Sequence, residues 1–172
     1  MATTARTAGP APAPPPPGGT LRCTCRSGAT VWLTGPPGPR KAALARAVRD
    51  ELRGRGRRVE VLYGDEPPHL PLAGPAPRTA DADADRLRIG LAAETLARND
   101  VTVLALAPGP HPHGADPVRA RHDAADVPYL EVQVGRGTAP AAGPAAHVDV
   151  AGQDTPAAAA ALLHLMTERG LV

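Results

Sequence analysis

The feature that most constrains this chain is a strand, a glycine-bearing loop and a helix that follow one another between residues 28 and 52. The segment TVWLT at 30–34 is β-branched and apolar, with a glycine on either side, which predicts a buried strand. Beyond the loop, Leu44, Val48 and Leu52 recur at helical spacing, which predicts the buried face of an amphipathic helix. A phosphate-binding loop occupies this kind of setting.

The loop itself departs from the phosphate-binding pattern G-x-x-x-x-G-K-[ST]. Gly35 and Lys41 match, but Arg40 stands at the second glycine and Ala42 at the hydroxyl position. In that pattern backbone N–H groups bind phosphate oxygens, the lysine reaches the terminal phosphates and the hydroxyl holds magnesium. Three of the loop residues are prolines, which have no N–H to donate. The candidate nucleotide-binding residues are therefore those of a degenerate loop: Gly35, Pro36, Pro37, Gly38, Pro39, Arg40, Lys41 and Ala42. For Lys41, a solvent-exposed lysine at a helix start is the alternative.

Composition and charge limit the possible domain organisation, partners and location of the protein. Residues 1–20 are rich in alanine and proline and predict a disordered tail, which leaves residues 21–172 as one domain. A net charge of +2 gives no reason to expect nucleic-acid or membrane attraction. There is neither a long apolar run nor an amino-terminal apolar segment typical of a signal peptide, so we expect a cytoplasmic protein. Cys23 and Cys25 are expected to be free thiols, because no further cysteines accompany them.

Strands and helices alternate along the rest of the chain. Leu87, Leu91, Ala92, Thr95 and Leu96 are expected to mark the inner face of one of these helices. The alternation predicts a three-layer α/β domain with a mostly parallel sheet. The further elements are predicted as strands at 59–63, 101–107, 129–134 and 147–150, helices at 85–99 and 155–170, and a short helix or turn at 118–124, with Gly54 as the C-cap of the first helix.

Sites in such sheets lie at the carboxyl ends of the strands. Asp65 follows the second strand and is either a metal-binding or basic carboxylate or a turn residue. His111 and His113 lie on a proline-rich loop without a third ligand, so we predict no metal site there. The arginines of RGRGRR at 53–58 are expected to form a solvated turn rather than a nucleic-acid contact.

Several blocks of the sequence resemble adenylyl-sulfate (APS) kinase of the P-loop kinase superfamily. They are GATVWLTG, RKAALARAVRDELRGRGRRVEVLYGD, RIGLAAETLARNDVTVLALA and VRARH. The resemblance implies a P-loop NTPase-like fold. It also implies transfer of the γ-phosphate of ATP, with Mg²⁺, to the 3′-hydroxyl of adenylyl-sulfate, which gives PAPS for sulfate assimilation. It further implies Asp65 as a catalytic residue, Arg88 and Ile89 as substrate-binding residues, and a homodimer or heterodimer. For Arg88, an exposed helix arginine is the alternative interpretation.

The departures from this family concentrate at its reacting positions. Its loop reads roughly GLSGAGKST, and its D-R-x-x-N-x-R-R-I-G segment has Leu87 here in place of one arginine. Pro68 and Pro112 also stand where the family has arginines, and its lid has no counterpart between residues 135 and 147. Two classes of function follow. One is a catalytically impaired APS kinase, and the other is a non-catalytic pseudokinase serving as a regulatory or protein-binding module.

Overall fold

The computed structural model describes residues 28–36, 38–64, 79–107, 117–135, 146–148 and 154–172, with the backbone alone for 79–83 and 146–147. The predicted tail, Pro37, Cys23, Cys25, Asp65, His111 and His113 lie outside these residues. In chain order the elements are β1 (Ala29–Thr34), α1 (Pro39–Gly54), β2 (Val59–Tyr63), α2 (Thr79–Ala97), β3 (Thr102–Leu106), α3 (Pro117–Ala124), β4 (Tyr129–Val134), β5 (Ala146–Val148) and α4 (Thr155–Glu168).

The five strands form one parallel sheet in the order β2-β3-β1-β4-β5. The strand predicted first in the chain is thus the central one, with Val31 in register with Leu104 on one side and Leu130 on the other. Since the carboxyl ends of parallel strands meet at one edge, the loop after β1 lies between the ends of β3 and β4. The predicted fold class is confirmed, and β2 and β4 have the predicted bounds.

Two apolar layers cover the sheet, one on each face. Side chains alternate along β1, so Val31 and Leu33 pack towards α1 and α4, whereas Trp32 packs towards α2 and α3. On α1, the predicted face of Leu44, Val48 and Leu52 is buried. The sheet with helices on both faces is the predicted three-layer arrangement.

The predicted inner face of α2 is wrong for Leu87 and Leu91, whereas Leu96 is half-buried against the core. Leu87 and Leu91 are 41% and 50% exposed, and the helix instead turns Gly90 and Ala93 inward. The reason is close packing: a Cβ on Gly90 would lie 2.7 Å from a methyl group of Val118 on α3. Small residues let α2 approach its neighbours, so the larger leucines occupy the outside. Ala92 and Thr95 are also exposed, and α2 begins six residues before the predicted start.

The basic turn after α1 is held by hydrogen bonds to backbone carbonyls. The Nη2 atoms of Arg53 and Arg57 donate to the carbonyl oxygens of Val59 and Leu171, at 2.8 and 3.0 Å. Arg58 donates in the same way to Asn99 at 2.9 Å. These arginines therefore connect the turn to the start of β2, to the carboxyl terminus and to the end of α2. Gly54 belongs to α1, whose C-cap is Arg55, so the predicted cap position is wrong by one residue.

Candidate functional site

The chain leaves β1 through a turn at Gly35 that only glycine fits. Its φ is +124°, a value that residues with a side chain rarely adopt, and a Cβ there would collide with the carbonyl oxygen of Val134. The turn is therefore pressed against the end of β4. It places the following residues over the carboxyl edge of the sheet, where sites in parallel sheets form.

Lys41 lies beneath this turn rather than in solvent. Its side chain is buried, and Nζ donates to the carbonyl oxygens of Gly35 at 3.1 Å and Ala107 at 2.7 Å. The alternative interpretation of Lys41, a solvent-exposed lysine at a helix start, is thus wrong. Ala107 follows β3, and its N–H donates to Leu33 at 2.9 Å, so Lys41 joins the loop to the ends of both β1 and β3. The ammonium group of Lys41 therefore lies at the edge of the sheet where a bound phosphate would contact it.

The amino terminus of α1 faces the same loop. The N-cap is Gly38, which makes no side-chain capping hydrogen bond, and Pro39 occupies the first helical position, where a missing N–H costs nothing. Arg40 is exposed and lies in regular helix. The helix terminus and two basic residues in its first turn together favour an anion.

Among the described residues, no metal ligand accompanies this candidate phosphate-binding loop. Ala42 is 3% exposed and packs in the apolar layer beneath α1, so the motif's hydroxyl position is occupied by a methyl group. Within the described ranges, no group of three or more His, Cys, Asp or Glu side chains is arranged to hold a metal ion. The described loop residues could therefore contact a phosphate group, but they offer no ligand for the Mg²⁺ that the family implies.

The candidate acceptor-side residues separate in the structure. Ile89 packs inward, with its Cδ1 against Gly64 at the end of β2, so it lies under the point from which the chain continues to Asp65. Arg88 points to solvent, with 76% of its side chain exposed, and pairs with Asp85 of the same helix. The alternative interpretation of Arg88, an exposed helix arginine, describes its position here. The structure does not describe Asp65, whose role stays a prediction.

Arg86 was missed by the sequence reasoning. It is 4% exposed, and its guanidinium carbon lies 5.4 Å from the centroid of the Trp32 ring, within the range of a cation–π interaction. Nε1 of Trp32 is buried without a hydrogen-bond partner in the part of the chain that the structure describes. The available signal was the spacing of Arg86 four residues before Gly90, which puts it on the small-residue face.

The family of the chain follows from comparison with known proteins. The model of the adenylylsulphate kinase family matches residues 27–142, which include the loop, Lys41 and the strands β1 to β4. The chain belongs to the adenylylsulphate kinase family. The expected resemblance is therefore confirmed.

Individual APS kinases give the same result. A probable adenylyl-sulfate kinase of Aeropyrum pernix is 34% identical over 115 residues, covering 67% of this chain and 62% of that protein. The adenylyl-sulfate kinase of Myxococcus xanthus is 35% identical over 108 residues, covering 63% of this chain and 58% of its own length. The chain thus spans about three fifths of the length of these relatives.

Solved APS kinase structures share the fold. The APS kinase CysC of Mycobacterium tuberculosis superposes with a TM-score of 0.63 at 26% identity, covering 82% of this chain and 98% of that one. A hexameric APS kinase of Thiobacillus denitrificans gives a TM-score of 0.70 at 27% identity, covering 86% and 30%. None of the described helices is both long and apolar enough to span a membrane.

Proposed function

We propose that this chain is an adenylyl-sulfate kinase-like protein that binds ATP weakly through residues 35–42 and is catalytically impaired. The family reaction is transfer of the γ-phosphate of ATP to the 3′-hydroxyl of adenylyl-sulfate. The observation that carries the proposal is the contrast between two adjacent positions. Lys41 lies buried at the carboxyl edge of the sheet, while Ala42, where a hydroxyl would ligate metal, is part of the apolar core.

Phosphate binding at this loop would use three groups of the chain. The Gly35 turn brings the backbone over the edge of the sheet, and the amino terminus of α1 presents N–H groups at its positive end. On phosphate binding, Nζ of Lys41 would give up its hydrogen bonds to the carbonyl oxygens of Gly35 and Ala107 and would donate to phosphate oxygens instead. Because this exchange costs two hydrogen bonds to a charged donor, and because the prolines reduce the number of N–H donors, the net affinity is low.

Phosphoryl transfer depends on positioning and on charge neutralisation. Loss of one well-placed electrostatic contact costs about 3–4 kcal/mol of barrier. Here the hydroxyl is absent at Ala42, and Leu87, in place of a family arginine, is exposed on the outer side of α2. Arg88 is directed to solvent and paired with Asp85. We therefore expect transfer to be reduced far more than binding.

A non-catalytic regulatory module is the second candidate. The observation in its favour is that hydrogen bonds from Lys41 to the carbonyl oxygens of Gly35 and Ala107 connect the loop to the end of β3. In that case the loop has a structural role and binds no nucleotide. The chain then acts through a protein partner, which is either a second copy or an active kinase subunit. We propose a cytoplasmic location for the protein under either function, the impaired kinase or the regulatory module.

Titration calorimetry with ATP and Mg²⁺ tests the binding site. We expect a Kd in the high micromolar to millimolar range, which corresponds to about −4 to −6 kcal/mol. Lys41→Met should abolish this binding, whereas Arg46→Met, at an exposed position on the same helix, should leave it unchanged. Low-micromolar binding that depends on Mg²⁺ would contradict the degenerate loop, and binding that survives Lys41→Met would place the site elsewhere.

A coupled assay for PAPS with ATP, Mg²⁺ and adenylyl-sulfate tests turnover. We expect none from the natural chain. The double variant Arg40→Gly, Ala42→Ser should recover part of the ATP affinity without transfer, since the acceptor side is unchanged. Turnover of about one per second by the natural chain, within the usual range for kinases, would show a working enzyme and refute the impairment.

A further inference from the structure

We infer that a cleft at the amino edge of the sheet binds a small aliphatic dicarboxylate. The cleft has a volume of about 340 Å³, which is within the range of small-molecule sites. It lies at the start of β2, on the opposite edge of the sheet from Lys41 and its loop. Three arginines, one glutamate and three aliphatic residues line it. Neither the proposed ATP binding nor the proposed loss of turnover involves these residues, so the inference goes beyond the proposed function.

The charged side chains of the cleft favour a ligand with two negative charges. Arg53, Arg57 and Arg58 line the cleft together with Glu60, which gives the lining a formal charge of +2. Glu60 lies 3.2 Å from Arg53, whereas Arg58 donates to a neutral carbonyl oxygen, that of Asn99. A guanidinium group binds a carboxylate through two parallel N–H donors. Two carboxylates therefore match both the charge and the donor geometry of the cleft.

Backbone carbonyl groups hold these arginines in place in the chain itself. Arg53 donates to the carbonyl oxygen of Val59, which begins β2, and Arg57 donates to that of Leu171 near the carboxyl terminus. A guanidinium group has five N–H donors, so one hydrogen bond to a carbonyl group does not exhaust it. Because the side chains are already held, binding a ligand costs less conformational entropy than ordering three mobile arginines would.

The uncharged part of the cleft suits an aliphatic chain. Leu96 and Val101 belong to the apolar layer between the sheet and α2, and methylene groups can pack against them. Val59 adds a backbone donor. It lies on the edge strand β2, where the carbonyl oxygen of Arg58 accepts from the N–H of Thr102 on β3. Since successive residues of a parallel strand face opposite sides, the N–H of Val59 points away from β3, to the free edge.

The helix ends beside the cleft favour carboxylates over phosphates. Helices α1 and α2 end at Gly54 and Ala97, so both present their carboxyl-terminal ends at this edge of the sheet. Each such end carries a partial charge of about −0.5. The two ends offset about half of the charge of the lining, which penalises the concentrated charge of a polyphosphate more than that of two separate carboxylates. Phosphate groups are better placed at the amino-terminal end of α1, at the other edge of the sheet.

An NMR titration of the isotope-labelled natural chain with glutarate tests the inference. The backbone amide signals of residues 53–60 and 96–101 should shift together and saturate with a Kd of about 1–10 mM, as expected for a ligand of this size. Signals of residues 35–42 should not move, which separates this result from the ATP titration. Glutaramide has the same carbon chain without the charges and should cause no saturable shift.

Two variants of the basic turn locate the contact. Arg58→Gln should raise the Kd for glutarate about tenfold, because one charged hydrogen-bonding partner is lost. Arg55→Gln is the matched control and should leave the Kd unchanged, since Arg55 pairs with Glu51 and faces the groove between α1 and α4. Thermal unfolding checks the fold of each variant, and the glutaramide comparison uses the natural chain alone.

Three results would overturn the inference. They are the absence of a saturable shift with glutarate, equal shifts with glutaramide, and an equal rise in Kd from Arg55→Gln and Arg58→Gln. Inorganic pyrophosphate that shifts the same signals at lower concentration than glutarate would refute the preference for carboxylates.

Discussion

Replacement of Gly35 by alanine tests the geometry on which the whole site depends. A φ of +124° is accessible to glycine, but for alanine it costs about 1–3 kcal/mol. The added Cβ also overlaps the carbonyl oxygen of Val134, whose carbonyl carbon is 3.2 Å away, so the end of β4 or the turn must move. Such overpacking costs a further ~1–3 kcal/mol.

One effect opposes these two. Alanine has fewer unfolded conformations than glycine, which favours the folded state by about 0.4–1 kcal/mol. We therefore expect Gly35→Ala to lower the free energy of unfolding by about 1–5.5 kcal/mol, a large share of the ~5–15 kcal/mol that stabilises a typical domain. For a domain of this size, the thermal midpoint should fall by at least about 2 °C.

Urea unfolding followed by circular dichroism measures the change, and Gly54→Ala is the matched control. Gly54 lies in α1, and no atom lies within 4 Å of the position that an added Cβ would take, so alanine there should stabilise the chain by about 0.5–1 kcal/mol. The two substitutions are chemically identical and should have opposite signs. If Gly35→Ala unfolds at the same urea concentration as the natural chain, the turn is not where the structure puts it, and the basis for the loop site is lost.

Three further outcomes are expected. Glu94→Gln removes the charge that accepts two hydrogen bonds from Arg121 and should cost about 1.5–3 kcal/mol in urea unfolding; an unchanged midpoint would show that this ion pair contributes nothing. Gly90→Ala should destabilise by about 1–3 kcal/mol through overlap with Val118, and the added change Val118→Ala should recover part of that loss; a double variant whose losses simply add would contradict the contact. Deletion of residues 1–19 should leave the thermal midpoint within about 2 °C, measured by calorimetry, and a large drop would show that the tail packs on the domain.

The fold was predictable because the apolar periodicity and the position of the glycine loop point to the same arrangement. The run TVWLT is apolar on both faces because β1 is the central strand, and such a run is typical of a parallel sheet covered by helices. Helix α2 was placed correctly as an element but with the wrong face inward. Its packing depends on Gly90 and Ala93, whose small size is a weaker signal than the leucines beside them.

The candidate site was predictable in its sequence positions but not in its contacts. The spacing from Gly35 identified Lys41, yet its burial depends on Ala107, which lies 66 residues away and comes close only because β3 pairs with β1. The position of Arg86 over Trp32 likewise depends on which side of α2 faces the sheet. Long-range pairing decides these contacts, and local sequence carries little information about them.

The central position of β1 has a consequence for the ribosome-bound chain. Thr30 pairs with Tyr129, so one edge of β1 has no partner until β4 is made, about 100 residues later. At a translation rate of about 5–20 residues per second, this interval lasts about 5–20 s. Of the described strands, β1 is thus the first to be made, and it is fully paired only after β4 follows. During this interval the backbone N–H and C=O groups along that edge of β1 remain able to pair with another extended segment.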